Sequence, residues 1–311
     1  MTALLDAPSS PDRPDPADLH GPILRWYEQN ARDLPWRAPD VTPWAVLVSE
    51  VMLQQTPVGR VLPVWREWLS RWPTPASLAA ASPADAVRAW GRLSYPRRAL
   101  RLHATAEALV DRHDGVVPDD HEALRALPGV GSYTAAAVAA FAFGRRHPVV
   151  DTNVRRVQAR AVLGAALPAP VLTAAETRLA AELLPPDDRE GGQSARWSVA
   201  VMELGALVCT ARLPRCQDCP VAALCRWNHA GRPVHDGPPR RTQPWHGTDR
   251  QVRGRLLAAL RASEVPLHRA VLGEVESDAE QWDRCLASLV SDGLVERLED
   301  GTFRLPVRSA R

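Results

Sequence analysis

Most of this chain is written with the period of a helix. Trp44, Leu47, Val48, Val51 and Met52 fall at i, i+3, i+4, i+7 and i+8, a single apolar stripe. Ser82-Pro83-Ala84-Asp85 sets a capping hydroxyl, a proline at the first helical position and an acid three residues on, which predicts a helix start. Thr173-Ala174-Ala175-Glu176 opens another helix, predicted to reach Leu184 and stop before Pro185. Trp197 to Leu207 has the same period. Strand-like alternation is absent before residue 294, so the first 230 residues are predicted to be all-α.

The pattern changes at His229. Residues 229–249 are rich in Pro and Gly and read as a linker. Beyond it, Val252 to Leu260, Leu267 to Val275 and Ala279 to Val290 predict three helices, with Cys285 on an apolar face. VERLEDGTFRLP then predicts two short strands around an Asp300-Gly301 turn. Three helices and a hairpin suggest a winged-helix-like domain over 250–311, or another small α+β module. Acids and bases balance there at ten each, and Glu280 and Asp283 oppose Arg284 on the third helix. That charge suits a protein partner better than phosphate.

At 311 residues with 45% apolar side chains, the chain can bury a substantial core. No apolar run is long enough to span a membrane. Residues 1–18 are rich in Pro, Asp and Ser and read as a disordered leader, not a signal peptide. The cytoplasm, in association with the nucleoid, is the expected location, and a monomer the expected state. Net charge is only +2, but all 38 basic residues other than histidine are arginine and none is lysine. No side-chain amine is therefore present to form a Schiff base.

Four cysteines cluster as Cys209, Cys216, Cys219 and Cys225, spaced C-x6-C-x2-C-x5-C. Reduced thiols in this arrangement point to a metal centre. The single C-x-x-C pair favours a [4Fe–4S] cluster over zinc, with unligated core cysteines the remaining alternative. Arg212 and Arg215 lie in the loop, where they suit a phosphate backbone.

Leu127-Pro128-Gly129-Val130-Gly131 joins a helix ending near Ala126 to one starting at Ser132. A glycine turn opening a helix can hold a phosphate through backbone N–H groups alone, although a plain corner between helices reads the same way. Arg145, Arg146, Arg155, Arg156 and Arg160 follow and add to the nucleic-acid reading.

Two acids stand out. Glu50 is the only charged residue between Val41 and Gly59, flanked on its helix by Val46 and Leu53. Such surroundings raise a carboxyl pKa and suit a general acid, unless the residue merely edges a core helix. The helix is predicted to continue through Gln54-Gln55-Thr56, polar groups able to face bases. Asp151 is placed to N-cap a helix at Thr152, and backbone donors would keep it ionised. One protonated and one charged carboxyl is the pairing of glycosidic or N-glycosidic cleavage through a cation-like transition state.

These motifs together resemble the helix-hairpin-helix DNA glycosylase superfamily, and within it the MutY-type adenine glycosylases. SEVMLQQT (49–56), LPGVGSYTA (127–135), VVDTNVRRV (149–157), MELGALVC (202–209) and the cysteine spacing carry the likeness, over roughly residues 20 to 228. The resemblance implies a bilobal all-α glycosylase domain over 19–228, with the cluster loop at 209–225 and double-stranded DNA carrying a mispaired adenine as partner. It implies Glu50 as the acid that protonates adenine, Asp151 as the stabiliser of the sugar cation, and Tyr133 and Asn153 as their supports. Arg32, Trp36, Leu53, Gln54 and Glu203 would line the base pocket, with Gln55 and Tyr95 wedging into the duplex. The Gly129-Val130-Gly131 turn would grip a phosphate.

Endonuclease III-like relatives carry a lysine where this chain has Tyr133, so a monofunctional enzyme without strand cleavage is expected. The usual Gly-Tyr-Tyr near the wedge reads Leu93-Ser94-Tyr95-Pro96-Arg97 here, and Thr152 stands where MutY commonly has glycine. Residues 250–311 are too few for the Nudix-like domain that ends many MutY proteins, which leaves open the preference for 8-oxoguanine over guanine opposite adenine. A thymine or uracil mismatch glycosylase, and a non-catalytic iron–sulfur DNA-binding protein, are the competing readings.

Overall fold

The computed structural model describes residues 13–186, 192–235, 237, 246–273 and 278–307. In chain order its helices are α1 (Pro16–Asn30), α2 (Pro43–Leu53), α3 (Val58–Arg71), α4 (Pro75–Ala79), α5 (Pro83–Trp90), α6 (Arg97–His113), α7 (His121–Arg125) and α8 (Ser132–Phe143). They continue as α9 (Thr152–Ala161), α10 (Ala174–Glu182), α11 (Gln193–Leu207), α12 (Arg226–His229), α13 (Asp249–Ala262), α14 (Arg269–Gly273) and α15 (Ala279–Ser291). Strands β1 (Glu296–Arg297) and β2 (Phe303–Arg304) close the described chain. No described helix is long and apolar enough to cross a membrane.

The helix starts follow local rules. Thr74–Ser77, Ser82–Asp85 and Thr173–Glu176 form reciprocal capping boxes at α4, α5 and α10. Asp15 caps α1 by accepting from Ala17 N, so residues 16–18, expected in the leader, belong to a helix. The rest of that expectation, residues 1–12, lies outside the described residues. Within the expected linker, His229 ends α12 and Asp249 begins α13, while residues 236 and 238–245 lie outside the description.

The chain divides into two compact units. One comprises the described residues of Met1–Val41, Asp119–His121 and Ser132–Pro238; the other, those of Thr42–Pro118, Glu122–Gly131 and Pro239–Arg311. In the first, Ile23, Val157, Leu183, Trp197, Val201 and Leu204 form the core shared by α1, α9, α10 and α11. In the second, tryptophans dominate. Trp68 packs edge-on against Trp72 and Trp90 with ring centroids 4.7 and 5.7 Å apart, the favoured geometry for aromatic quadrupoles. Trp44 and Trp65 donate their indole N–H groups to the carbonyls of Trp72 and Ala45, so these rings bury without losing a hydrogen bond.

Two element predictions are corrected. The predicted helix from Leu267 to Val275 begins only at Arg269, because Leu267 is extended and pairs with Phe303 through both backbone groups; residues 274–277 lie outside the description. The hairpin holds the register Glu296↔Arg304 and Arg297↔Phe303, with Gly301 at φ +79° in the turn. The polar triplet 54–56 does not extend α2. Arg98 takes the carbonyls of Val51 and Met52 at 2.7 and 3.1 Å, and Gln55 turns into the left-handed region at φ +54°.

Candidate active site

Glu50 is carried by α2, whose apolar sequence is buried from Trp44 to Met52. The carboxyl residue itself is only 6% exposed. Leu53 ends the helix, half-buried, and Gln54 caps it. Gln55 and Tyr95, expected to act together, are joined by a bond from Tyr95 Oη to Gln55 Oε1 of 2.8 Å.

Asp151 precedes α9 and caps it. Its Oδ1 accepts from the backbone N–H groups of Asn153 and Val154 at 2.8 and 2.7 Å, and its Oδ2 from Asn153 Nδ2 at 2.8 Å. The residue is only partly shielded, yet loss of hydration at the carboxyl outweighs these donors and nearby Arg156, and its pKa is raised. The backbone donors expected from the sequence are present and favour the ionised form, while loss of hydration opposes them. Asn153 is held in turn by Arg156, which donates to Asn153 Oδ1 at 2.7 Å, to Gly205 O at 2.6 Å and to Cys209 O at 2.6 Å. A hydrogen-bonded chain thus runs from the cysteine loop to the acid.

The arginines after the hairpin are mostly structural, against expectation. Arg155 forks onto Glu176 and the carbonyls of Ala169 and Val171. Arg160 bonds the carbonyls of Ala166, Thr210 and Ala211 and lies over Trp227. Arg146 donates to Pro185 O, and Arg145 pairs with Asp119. A guanidinium has five donors and no acceptor, so it can satisfy several buried carbonyls at once.

Glu203, on α11, is fully buried and clamped. Arg32 donates to it through the backbone N, Nε and a terminal nitrogen at 3.0, 2.7 and 2.8 Å, and Arg37 adds a bond of 2.9 Å. Burial pushes its pKa up, but these donors outweigh burial and hold it at about 2. Trp36, buried in a 3-10 turn, stands beside Arg37. Arg37 was not singled out from the sequence; only its adjacency to Trp36 marked it. Tyr133 packs at the start of α8 against Ala136, Ala137 and Val149.

Gly129, at φ +77°, completes the hairpin turn, and a Cβ there would lie 2.7 Å from that of Arg101. Val130 is buried and donates to Leu127 O, while Gly131 is exposed. In the cysteine loop Arg212 is exposed; Arg215 is tied back to Leu207 O and Asp218.

Cys209, Cys216, Cys219 and Cys225 line one cavity with Arg160 and Trp227. Burial and the neighbouring thiols push Cys219 up to about 12, the expected result of crowding sulfur groups away from water. Among the described residues no three His, Cys, Asp or Glu side chains gather closely enough for a single ion. Four cysteines lining one cavity supply the soft thiolate donor set that an iron–sulfur cluster takes.

Comparison with known proteins places the chain in a family. Residues 48–182 match the HhH-GPD superfamily of base excision DNA repair proteins. The adenine DNA glycosylase of Mycobacterium tuberculosis (strain CDC 1551 / Oshkosh) is 58% identical over 91% of this chain and 92% of its own length. The chain belongs to the MutY-type adenine DNA glycosylases. The adenine DNA glycosylase of Mycolicibacterium smegmatis is 55% identical over 91% of this chain and 94% of that protein. Among solved structures, a thermostable thymine-DNA glycosylase matches with TM-score 0.62 and 26% identity over 70% of this chain and 97% of that one. As a MutY-type member of a helix-hairpin-helix superfamily, the chain is a DNA glycosylase, and the acids on α2 and before α9 are its candidate chemistry.

Proposed function

We propose that this enzyme removes adenine mispaired with 8-oxoguanine or guanine in double-stranded DNA by hydrolysing the N-glycosidic bond, leaving the strand intact. The near end-to-end likeness to an adenine DNA glycosylase carries the reading. Glu50, in an apolar helix, protonates the five-membered ring of the flipped adenine and makes it a leaving group. Asp151 faces the sugar. The positive charge growing there is stabilised by the Asp151 carboxylate, which loss of hydration leaves with little other compensation. Asn153 and Arg156 fix its orientation. Tyr133 stands where lyase relatives use lysine, and with no lysine anywhere in the chain, strand cleavage through a side-chain Schiff base is ruled out.

Arg32, Trp36 and Glu203 in one unit, and Leu53 and Gln54 in the other, are the residues assigned to the adenine base, with Glu203 acting through the arginines it orders. Gln55 and Tyr95 wedge the duplex, and the Gly129–Gly131 turn and Arg212 hold phosphates. The four cysteines would hold a [4Fe–4S] cluster, which when bound would staple the Arg212 loop.

The deciding experiment is single-turnover excision on duplexes with adenine opposite 8-oxoguanine or guanine, and with thymine or uracil opposite guanine, each with and without alkali. Adenine release with strand breaks only after alkali is expected. Glu50→Gln should lower the rate on the order of a thousandfold. Release of thymine or uracil alone would favour the second reading suggested by the thymine-DNA glycosylase likeness. Normal turnover by Glu50→Gln would remove that residue from the chemistry.

A further inference from the structure

The C-terminal segment places one cation beside the proposed wedge. Gln55 and Tyr95 are two of only four non-glycine residues with positive φ among those described, at +54° and +56°. Each conformation is strained for a residue with a Cβ, and such strain persists where the surroundings enforce it, often at functional sites. Here Arg98 enforces it, bonding Val51 O, Met52 O, Thr56 Oγ1 and Ser94 O while its guanidinium lies 5.5 Å from the Tyr95 ring centroid. Gln55 is exposed and Tyr95 is 49% exposed. The second cation over that ring is Arg250, 5.8 Å from the centroid.

Arg250 sits in the first turn of α13, where the helix dipole disfavours a positive charge, so helix stability does not explain it. The segment that carries it is anchored. Arg261 donates to Val87 O at 2.9 Å, Arg88 to Ser263 O at 3.2 Å, and Arg97 pairs with Asp292 at 3.1 Å. The described part of this segment is thus tied to α5 and α6 through these bonds.

We propose that Arg250 is a specificity-determining residue that reads the base opposite the excised adenine; this rests on the adenine reading above. The chemistry of the corner is one of donors. The Tyr95 hydroxyl is spent on Gln55 Oε1, so Gln55 presents its NH2 end, and Arg250 can only donate. Two donor groups beside an exposed aromatic ring match a base edge rich in acceptors, as guanine O6 and N7 or the two carbonyls of 8-oxoguanine provide. They mismatch cytosine, whose N4 amino group is itself a donor.

The test uses full-length wild type, Arg250→Ala and Arg250→Lys on duplexes with adenine opposite 8-oxoguanine, guanine and cytosine. Single-turnover rates are measured alongside affinity for an uncleavable 2′-fluoroadenosine duplex. Arg250→Ala should lose about tenfold on the 8-oxoguanine and guanine duplexes and little on cytosine, so that discrimination shrinks. Arg250→Lys, with charge but no planar fork, should recover only part of it. An equal loss on all three duplexes, or no loss on any with an unchanged melting curve, overturns the proposal. Failure of the wild type to release adenine from any duplex instead overturns the reading beneath it.

Discussion

Asp151 and Glu203 are acids of the same compact unit with opposite fates. Glu203 is completely buried, yet its pKa is held at about 2. Asp151 is only partly shielded, yet its pKa is raised. Loss of hydration raises both; the guanidiniums on Glu203 outweigh it, and the donors on Asp151 do not. Glu203 has two guanidiniums bonded directly to it. Asp151 has neutral donors, and its nearest guanidinium, on Arg156, reaches it through Asn153. A carboxylate already neutralised has little to offer a passing cation. One left short of positive charge stabilises whatever cation arrives, which is what a glycosidic transition state supplies.

The sharpest way to break this contrast is Asp151→Asn. It keeps a capping oxygen for the helix but cannot carry charge. Excision should fall by roughly a thousandfold or more, the scale of losing a key charge in the transition state. Stability should move the other way. An acid whose folded pKa is raised favours the protonated form, so the wild type loses stability as pH rises from the ordinary aspartate range through that raised value. The neutral variant escapes this loss, and its melting temperature at neutral pH should be equal or higher. A variant that unfolds near room temperature would make Asp151 a structural acid.

Glu203→Ala should do the reverse and act first on the fold. It strands two guanidiniums that are 35% and 20% exposed, so about 2–3 kcal/mol is expected, below the figure for a fully buried pair. The folded pKa is depressed, so the contribution of Glu203 is present above the unfolded glutamate pKa and is lost as pH falls from there toward about 2. Denaturant melts at pH 7 and pH 3 measure this. The gap between wild type and variant should narrow at the lower pH, and an unchanged gap would mean the pairing is not what stabilises.

The sequence made one side of this contrast legible and hid the other. Asp151 could be read as a cap, because capping is local and Thr152-Asn153-Val154 follow it directly. Its raised pKa could not, because hydration depends on what the rest of the chain covers. The clamp on Glu203 joins residues 171 and 166 positions apart, which no local pattern records. The same long reach misled the reading of α2, since Arg98, more than 40 positions away, takes the carbonyls that would have continued the helix. It also misled the reading of the arginines, because Arg155, Arg156 and Arg160 look like a phosphate patch in sequence and prove to be buried ties between loops. The capping boxes of α5 and α10 and the terminal hairpin, all local, were found where the sequence placed them.

The smallest change separates the two acids within a single helix. Gly205 lies two residues beyond Glu203 on α11, where a Cβ would stand 2.7 Å from Asn153 Cβ and 2.9 Å from Asn153 O. Gly205→Ala gains helix propensity of about 1 kcal/mol. Overpacking against a neighbouring backbone costs about 1–3 kcal/mol, so a net loss near 1 kcal/mol is expected. The informative effect is on chemistry. Asn153 must give way, and its two bonds to Asp151 are among those that hold that pKa down. Loosening them raises the Asp151 pKa further, so the acidic limb of the kcat–pH profile should move to higher pH while the low-pH loss of stability set by Glu203 stays in place. If the limb stays and the stability transition moves, Gly205 serves the clamp, and the division between an acid kept for the fold and an acid kept for the reaction is drawn in the wrong place.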